Sequence, residues 1–279
     1  MKLESVIKNL KATRLWTEHL EQDCKDGKVF LAIRGNAISF YHKGGKLFEF
    51  GNNEFKTHKK YASVIKSENV YIAESELLQL KIVSDFADEY GEIQKNCSKH
   101  SGSEAIGVSD IYHKHSYLSG KKIVVLDIEI SMEAQEDDRN QDRIDLLLFD
   151  TNTGTLKFVE AKHFSNSEIW STKKPKVIKQ IERYEKQITN KKKKEDIILK
   201  YTNYIKILNE IFGYSLPTPK GINEKVKLLI LGFDKDQKFG RLQELILKNP
   251  EYKGIEIYAK GDTTKIDLKN LWEINDNKP

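Results

Sequence analysis

An α/β fold with a small antiparallel β region at its N-terminal end is what this sequence predicts, and three observations carry the prediction. The stretch from Ile144 to Lys162 reads as two strands, 144–150 and 155–162, around the turn Thr151-Asn152-Thr153-Gly154. From about residue 86 onward the pattern runs helix, three strands, helix, strand, helix, strand. Between residues 28 and 50, KVFLAIR, NAISFYHKG and GKLFEFG form three short apolar runs punctuated by Gly35-Asn36 and Gly44-Gly45, dipeptides that favour tight hairpins. Two domains are therefore expected: 1–85, a helix plus a β-meander, and 86–279, the main α/β domain.

Taken in order, residues 1–24 carry helical periodicity, and the meander follows. After a polar segment at 51–60, helices are expected at about 59–67 and 73–96, the second aligning Leu78, Ile82, Phe86, Tyr90 and Ile93. Residues 97–120, with Ser, Gly and three His, read as an irregular connection. KIVVLDIEISM predicts a strand at about 122–132, and the polar segment EAQEDDRNQD leads into the hairpin. A helix is expected at 175–189, with Pro175 at its start, where the missing N–H is harmless. Its Val177, Ile181, Tyr184 and Ile188 form an amphipathic stripe. A second helix at about 195–212, a strand at 226–233, a helix at about 237–248 and a strand at about 254–259 complete the reading.

Composition sets limits. The 279 residues are 38% hydrophobic and 32% charged, enough apolar material for a real core. No 18-residue apolar run occurs, so no membrane-spanning helix is expected. The first residues lack the apolar region of a secretory signal, and Cys24 and Cys97 stand in no metal-ligand spacing. Together these suit a cytoplasmic protein. The net charge of +5 is mild, but between Lys173 and Lys194 ten basic residues face two acidic ones, Glu182 and Glu185. Such a stripe suits a polyanion held by its phosphates; a solvated helix face with a lysine-rich loop is the plainer alternative.

The chemistry concentrates in the hairpin. If Asp150 pairs with Thr155, Asp145 lies directly opposite Glu160, and Lys162 shares the face of Glu160. Like charges facing each other across a sheet are destabilising. Two carboxylates and a lysine within LLLF and LKFV call for an explanation, and a divalent cation supplies one.

An acidic residue on one strand, a turn, Glu-x-Lys on the next strand and then a helix is a pattern that resembles the PD-(D/E)xK nuclease superfamily. Asp145 matches its aspartate and Glu160-Ala161-Lys162 its tripeptide, while Ile144 stands at the place of its proline. Gln180 and Tyr184 match the Gln-x-x-x-Tyr signature of many branches. The resemblance spans roughly residues 86–235 and implies a restriction-endonuclease-like αβββαβ core. It implies Mg²⁺, with Mn²⁺ able to substitute, held by Asp145, Glu160 and the backbone carbonyl of Ala161; hard oxygen ligands suit such an ion. Lys162 would position the attacking water or stabilise the phosphate, its alternative being a simple ion pair with Glu160. Glu129, central in an apolar strand, is the candidate for an extra carboxylate, with Glu92 as runner-up and Asp127 as another choice. Gln180 and Tyr184 would face the cleft and contact nucleic acid with Lys179 and Arg183 beside them, although Tyr184 also fits the core stripe.

Weaker candidates are His113 and His115, which would share a strand face, and His163; none has a partner at metal-ligand spacing, so an ordinary role is favoured. Phe40, Tyr41, Phe48 and Phe50 could stack bases but alternate as core residues do. The expected function is a metal-dependent DNA endonuclease in a prokaryotic or phage defence context, DNA being favoured over RNA. Cutting both strands of a duplex favours a homodimer. Two alternatives stay open: a catalytically silent nucleic-acid-binding protein of the same fold, and an effector nuclease gated by a protein partner or ligand through residues 1–85.

Overall fold

The computed structural model describes residues 3–62, 71–75, 85–132, 143–170 and 174–277. Leu78, Ile82 and the segment EAQEDDRNQD lie outside the described residues. The chain divides into two compact units, Met1–Ser119 and Gly120–Pro279. The division falls later than the expected 85/86 boundary, because the helix Tyr90–Lys99 buries Tyr90, Ile93 and Cys97 and packs on strands of the first unit.

In the first unit, β1 (Phe30–Arg34), β2 (Ala37–His42), β3 (Gly45–Gly51), β4 (Glu54–His58) and β5 (Tyr71–Ala73) form one antiparallel sheet in sequence order. The meander is thus longer than expected. The β2–β3 turn is centred on Lys43-Gly44, with φ of 49° and 83°, one residue earlier than the Gly-Gly dipeptide suggested. Asn52 and Asn53, at φ 53° and 67°, make the same kind of turn between Gly51 and Glu54. Two successive left-handed residues are what a two-residue hairpin demands, so the segment at 51–60, read as merely polar, holds β4. Phe40, Phe48 and Phe50 are fully buried, which makes them core and leaves no face to stack on a base. Tyr41 is half-buried under the Arg34 guanidinium. Residues 103–114 are a helix rather than an irregular connection. Its buried side includes Gly107 and Ser109, so the apolar period that betrays a helix is diluted.

In the second unit, β6 (Ile123–Ser131), β7 (Arg143–Asp150), β8 (Thr155–His163), β9 (Gly221–Ile222), β10 (Lys227–Leu231) and β11 (Glu256–Lys260) form a mixed sheet. Its strand order is β11-β10-β8-β7-β6, with β9 pairing β8 to one side. β6, β7 and β8 are antiparallel neighbours; β8, β10 and β11 run parallel. Every residue of β10 is buried, as expected of a parallel strand covered on both faces. The helices Lys176–Thr189 and Lys191–Phe212 connect β8 to β10. The second begins at the lysine run itself, because Asn190 caps it by accepting from the Lys193 N–H at 3.1 Å; the run is not a loop. A last helix, Leu268–Glu273, absent from the sequence reading, is capped by Asp267 and buries Leu268 and Leu271. No helix among the described residues is long and apolar enough to cross a membrane.

Candidate active site

The turn between β7 and β8 sets everything that follows. Asp150 Oδ1 accepts from the N–H groups of Asn152 (2.9 Å) and Thr153 (3.3 Å), and Gly154 supplies the left-handed residue at φ 73°. The register runs from Asp150↔Thr155 to Leu146↔Val159, and the next position places Asp145 across from Glu160. On the other side of β7, the pairs Ile128↔Leu146 and Ile130↔Ile144 put Glu129 across from Asp145. One row across three strands therefore carries Glu129, Asp145 and Glu160.

Within the row the carboxylates are held differently. Asp145 is half-buried, and its Oδ2 accepts the Ala161 N–H at 2.7 Å. Glu160 is 1% exposed and its Oε1 accepts from Lys162 Nζ at 2.8 Å. The same ammonium lies 3.2 Å from Glu168 Oε2. Glu168 sits in the short helical turn Ser167–Ile169 after β8, which Asn166 caps at 3.0 Å. Lys162 thus bridges one fully buried carboxylate and one partly exposed one, its single positive charge shared between the two. The ion pair with Glu160, weighed above only as an alternative for Lys162, is present in this state.

Glu129 is the strained member. It takes φ 49° inside a strand, a conformation that costs an L-residue roughly 1–2 kcal/mol. Its carboxylate lies 3.4 Å from Arg143 Nη1, with 39% of the side chain exposed. A register shift between Val125 and Asp127 lies just before it, and such bulges re-aim side chains near functional sites. Glu129→Gly should therefore raise thermal stability while Glu129→Gln leaves it nearly level. Melting curves of both check this; a Gly variant no more stable than the Gln variant contradicts the strain.

The other candidates separate clearly. Asp127 is buried and accepts from the hydroxyls of Tyr201 (2.9 Å) and Tyr204 (3.2 Å) and from the Ile128 N–H (2.8 Å). It ties β6 to the helix Lys191–Phe212 rather than joining the row. Glu92 lies in the first unit, exposed, with Lys95 Nζ 3.4 Å away. Gln180 Nε2 donates to Tyr184 Oη at 2.8 Å. Tyr184 is fully buried with Val177, Ile181 and Ile188, so it is a core residue whose hydroxyl also fixes Gln180. Lys179 is exposed and Arg183 half-buried. Part of the basic stripe is balanced locally: Lys174 by Glu182 and Lys194 by Glu224, each at 2.6 Å.

His113 and His115 lie on and just after a helix, not on a strand. His113 Nε2 accepts the Lys43 N–H at 3.2 Å, and burial pushes its pKa down to about 3. His163 ends β8, its Nδ1 2.7 Å from Ser165 Oγ. Among the described residues, no group of three or more His, Cys, Asp or Glu side chains is gathered closely enough to hold a metal ion. Sequence reasoning missed Glu168 and the two tyrosines on Asp127. The only local signal for Glu168 was the Asn-x-Glu capping pattern at the end of β8. No family model matches this chain, and neither a curated protein nor a solved structure matches it.

Proposed function

We propose that the second unit is a metal-dependent nuclease of the PD-(D/E)xK kind that hydrolyses phosphodiester bonds, with DNA the favoured substrate. The observation that carries this reading is the single sheet row holding Asp145 and Glu160, with Lys162 bonded to Glu160 from the same face of β8. The order of strands supports it: three antiparallel strands followed, through helices, by a strand parallel to the third, the order that the restriction-endonuclease-like core has.

The donor set fits a hard divalent cation in kind. Asp145 and Glu160 offer carboxylate oxygens on neighbouring strands, with the peptide of Ala161 beside them, and Mg²⁺ takes few protein ligands of this type. When bound, the ion supplies neutralisation of charge on the phosphoryl oxygens and a more acidic water. Lys162 would donate to charge that develops on the phosphate or orient the attacking water, and Glu168, 3.2 Å from its ammonium, would hold that ammonium in place. Gln180, fixed by Tyr184, and the neighbouring Lys179 and Arg183 carry the nucleic acid backbone. Incubation with supercoiled plasmid, linear duplex and single strands, each with Mg²⁺, Mn²⁺ or EDTA, tests the reading: cleavage that EDTA stops is expected, and the absence of cleavage on all three substrates contradicts it.

The exposed lysines at the start of the helix Lys191–Phe212 offer a second check. Lys191→Glu with Lys192→Glu improves the interaction with the helix dipole, which favours acidic residues in the first turn, so the fold should be no less stable. Binding to nucleic acid should nonetheless weaken, and its dependence on salt should flatten because fewer counterions are released. An unchanged salt slope marks these two lysines as solvated surface.

A further inference from the structure

β11 stands at the end of the strand order among the described residues, yet its backbone edge is closed. Ile257, Tyr258 and Ala259 are all buried. Pairing with β10 leaves the backbone groups of Ile257 and Ala259 pointing outward, and an open row of this kind invites another strand. Here the segment after the helix Leu268–Glu273 fills the row. The Ile257 N–H donates to Asn275 Oδ1 at 2.9 Å and the Ala259 N–H to Asp276 Oδ2 at 2.7 Å. The Asp276 N–H donates in turn to the Ile257 carbonyl at 2.7 Å. Two of these three bonds end on side chains, so the segment covers the edge without being a strand that a further one could extend.

The same segment is tied down by charge. Lys157 on β8 and Lys227 on β10 are 2% and 1% exposed, on the sheet face opposite Glu160 and Lys162. Both ammoniums reach Glu256 Oε2, at 2.8 and 3.0 Å. One carboxylate does not satisfy two buried ammoniums, and each turns a further donor to a carbonyl. Lys157 donates to Trp272 at 3.0 Å and Lys227 to Ile274 at 2.8 Å, groups that the end of a helix leaves unpaired. Beyond the capped pair, Asn277 Nδ2 donates to the Tyr252 carbonyl at 2.6 Å. Releasing the segment would leave buried charge short of partners, so it is a fixed part of the unit.

We propose that residues 274–277 are an edge cap standing where a pairing strand would lie, and that the partner they keep out is β11 of a second copy of this chain. The sequence of β11 suits pairing with itself. About a two-fold axis at Tyr258, antiparallel pairing sets Ile257 against Ala259 of the other copy, with their outward backbone groups matched. It also sets Glu256 across from Lys260, and opposite charges directly across a pair are favourable. The inference does not rest on the nuclease reading.

Sedimentation velocity of the full chain carrying Asn275→Ala with Asp276→Ala, across a concentration series beside wild type, tests this. The double variant should reach twice the wild-type mass as concentration rises. Adding Ala259→Pro removes an outward N–H at a place where an edge strand tolerates proline, and should return the wild-type mass. Adding Lys260→Glu instead sets like charges across the pair, and should weaken the association roughly threefold or more. Wild-type mass throughout, or association indifferent to Ala259→Pro, overturns the proposal. Hydrogen exchange of the wild type gives a check that needs no variant. The Ile257 and Ala259 amides should exchange at least on the order of a hundredfold more slowly than unprotected ones, and exchange at the unprotected rate overturns the cap.

Discussion

If the second unit is the proposed nuclease, Asp145→Ala and Glu160→Ala should each reduce cleavage by at least on the order of 10²–10³-fold, the scale of losing a major electrostatic contributor to the transition state. The two variants differ in stability, and the difference follows from their partners. Asp145 accepts the Ala161 N–H at 2.7 Å, and a hydrogen bond to a charged acceptor is worth about 1.5–3 kcal/mol. Its loss therefore lowers the melting temperature. The facing-carboxylate repulsion expected from sequence is answered in the structure by that amide and by Lys162, so no gain in stability is expected. Glu160→Ala frees Lys162 to remain with Glu168, at the expense of a small cavity. Cleavage rates and melting curves of both variants decide the matter, and either variant cutting at the wild-type rate removes its residue from the site.

Lys162→Met produces the largest loss of stability. It leaves Glu160, 1% exposed, without the ammonium 2.8 Å away, and breaking a buried pair from one side costs roughly 3–5 kcal/mol. For a unit of this size that is a fall of roughly 6–20 °C in melting temperature. Adding Glu160→Gln should recover most of the loss, because an apolar or neutral pair of similar volume is often no worse than a buried ion pair. A Lys162→Met protein as stable as wild type shows that the pair does not hold in solution. The proposed cleavage should not return in the double variant, which would separate a chemical role of these residues from their structural one.

The hairpin was legible because its determinants are local. Asp150 and Gly154 dictate the turn, the turn dictates the register, and strict alternation then places Asp145 against Glu160. The buried stripe of the helix Lys176–Thr189 was legible for the same reason, as a simple period. What escaped depends on contacts that no local pattern encodes. Glu168 meets Lys162 only because the chain turns back after β8. Asp127 looked interchangeable with Glu129 on an alternating strand, yet the register shift beside it and the left-handed backbone of Glu129 send the two to different partners. The helix Ser103–Lys114 hides behind a buried side with Gly107 and Ser109, and β4 behind a turn made by Asn52 and Asn53, residues that tolerate the left-handed conformation but read as polar filler.

The proposed nuclease function requires that the row of Asp145 and Glu160 take a divalent cation. Titration calorimetry with Mn²⁺, on wild type, Asp145→Asn and Lys162→Met side by side, measures this without reference to any substrate. Binding in wild type and in Lys162→Met, with loss in Asp145→Asn, is the predicted result. Equal Mn²⁺ binding by wild type and Asp145→Asn, or none by either, contradicts it.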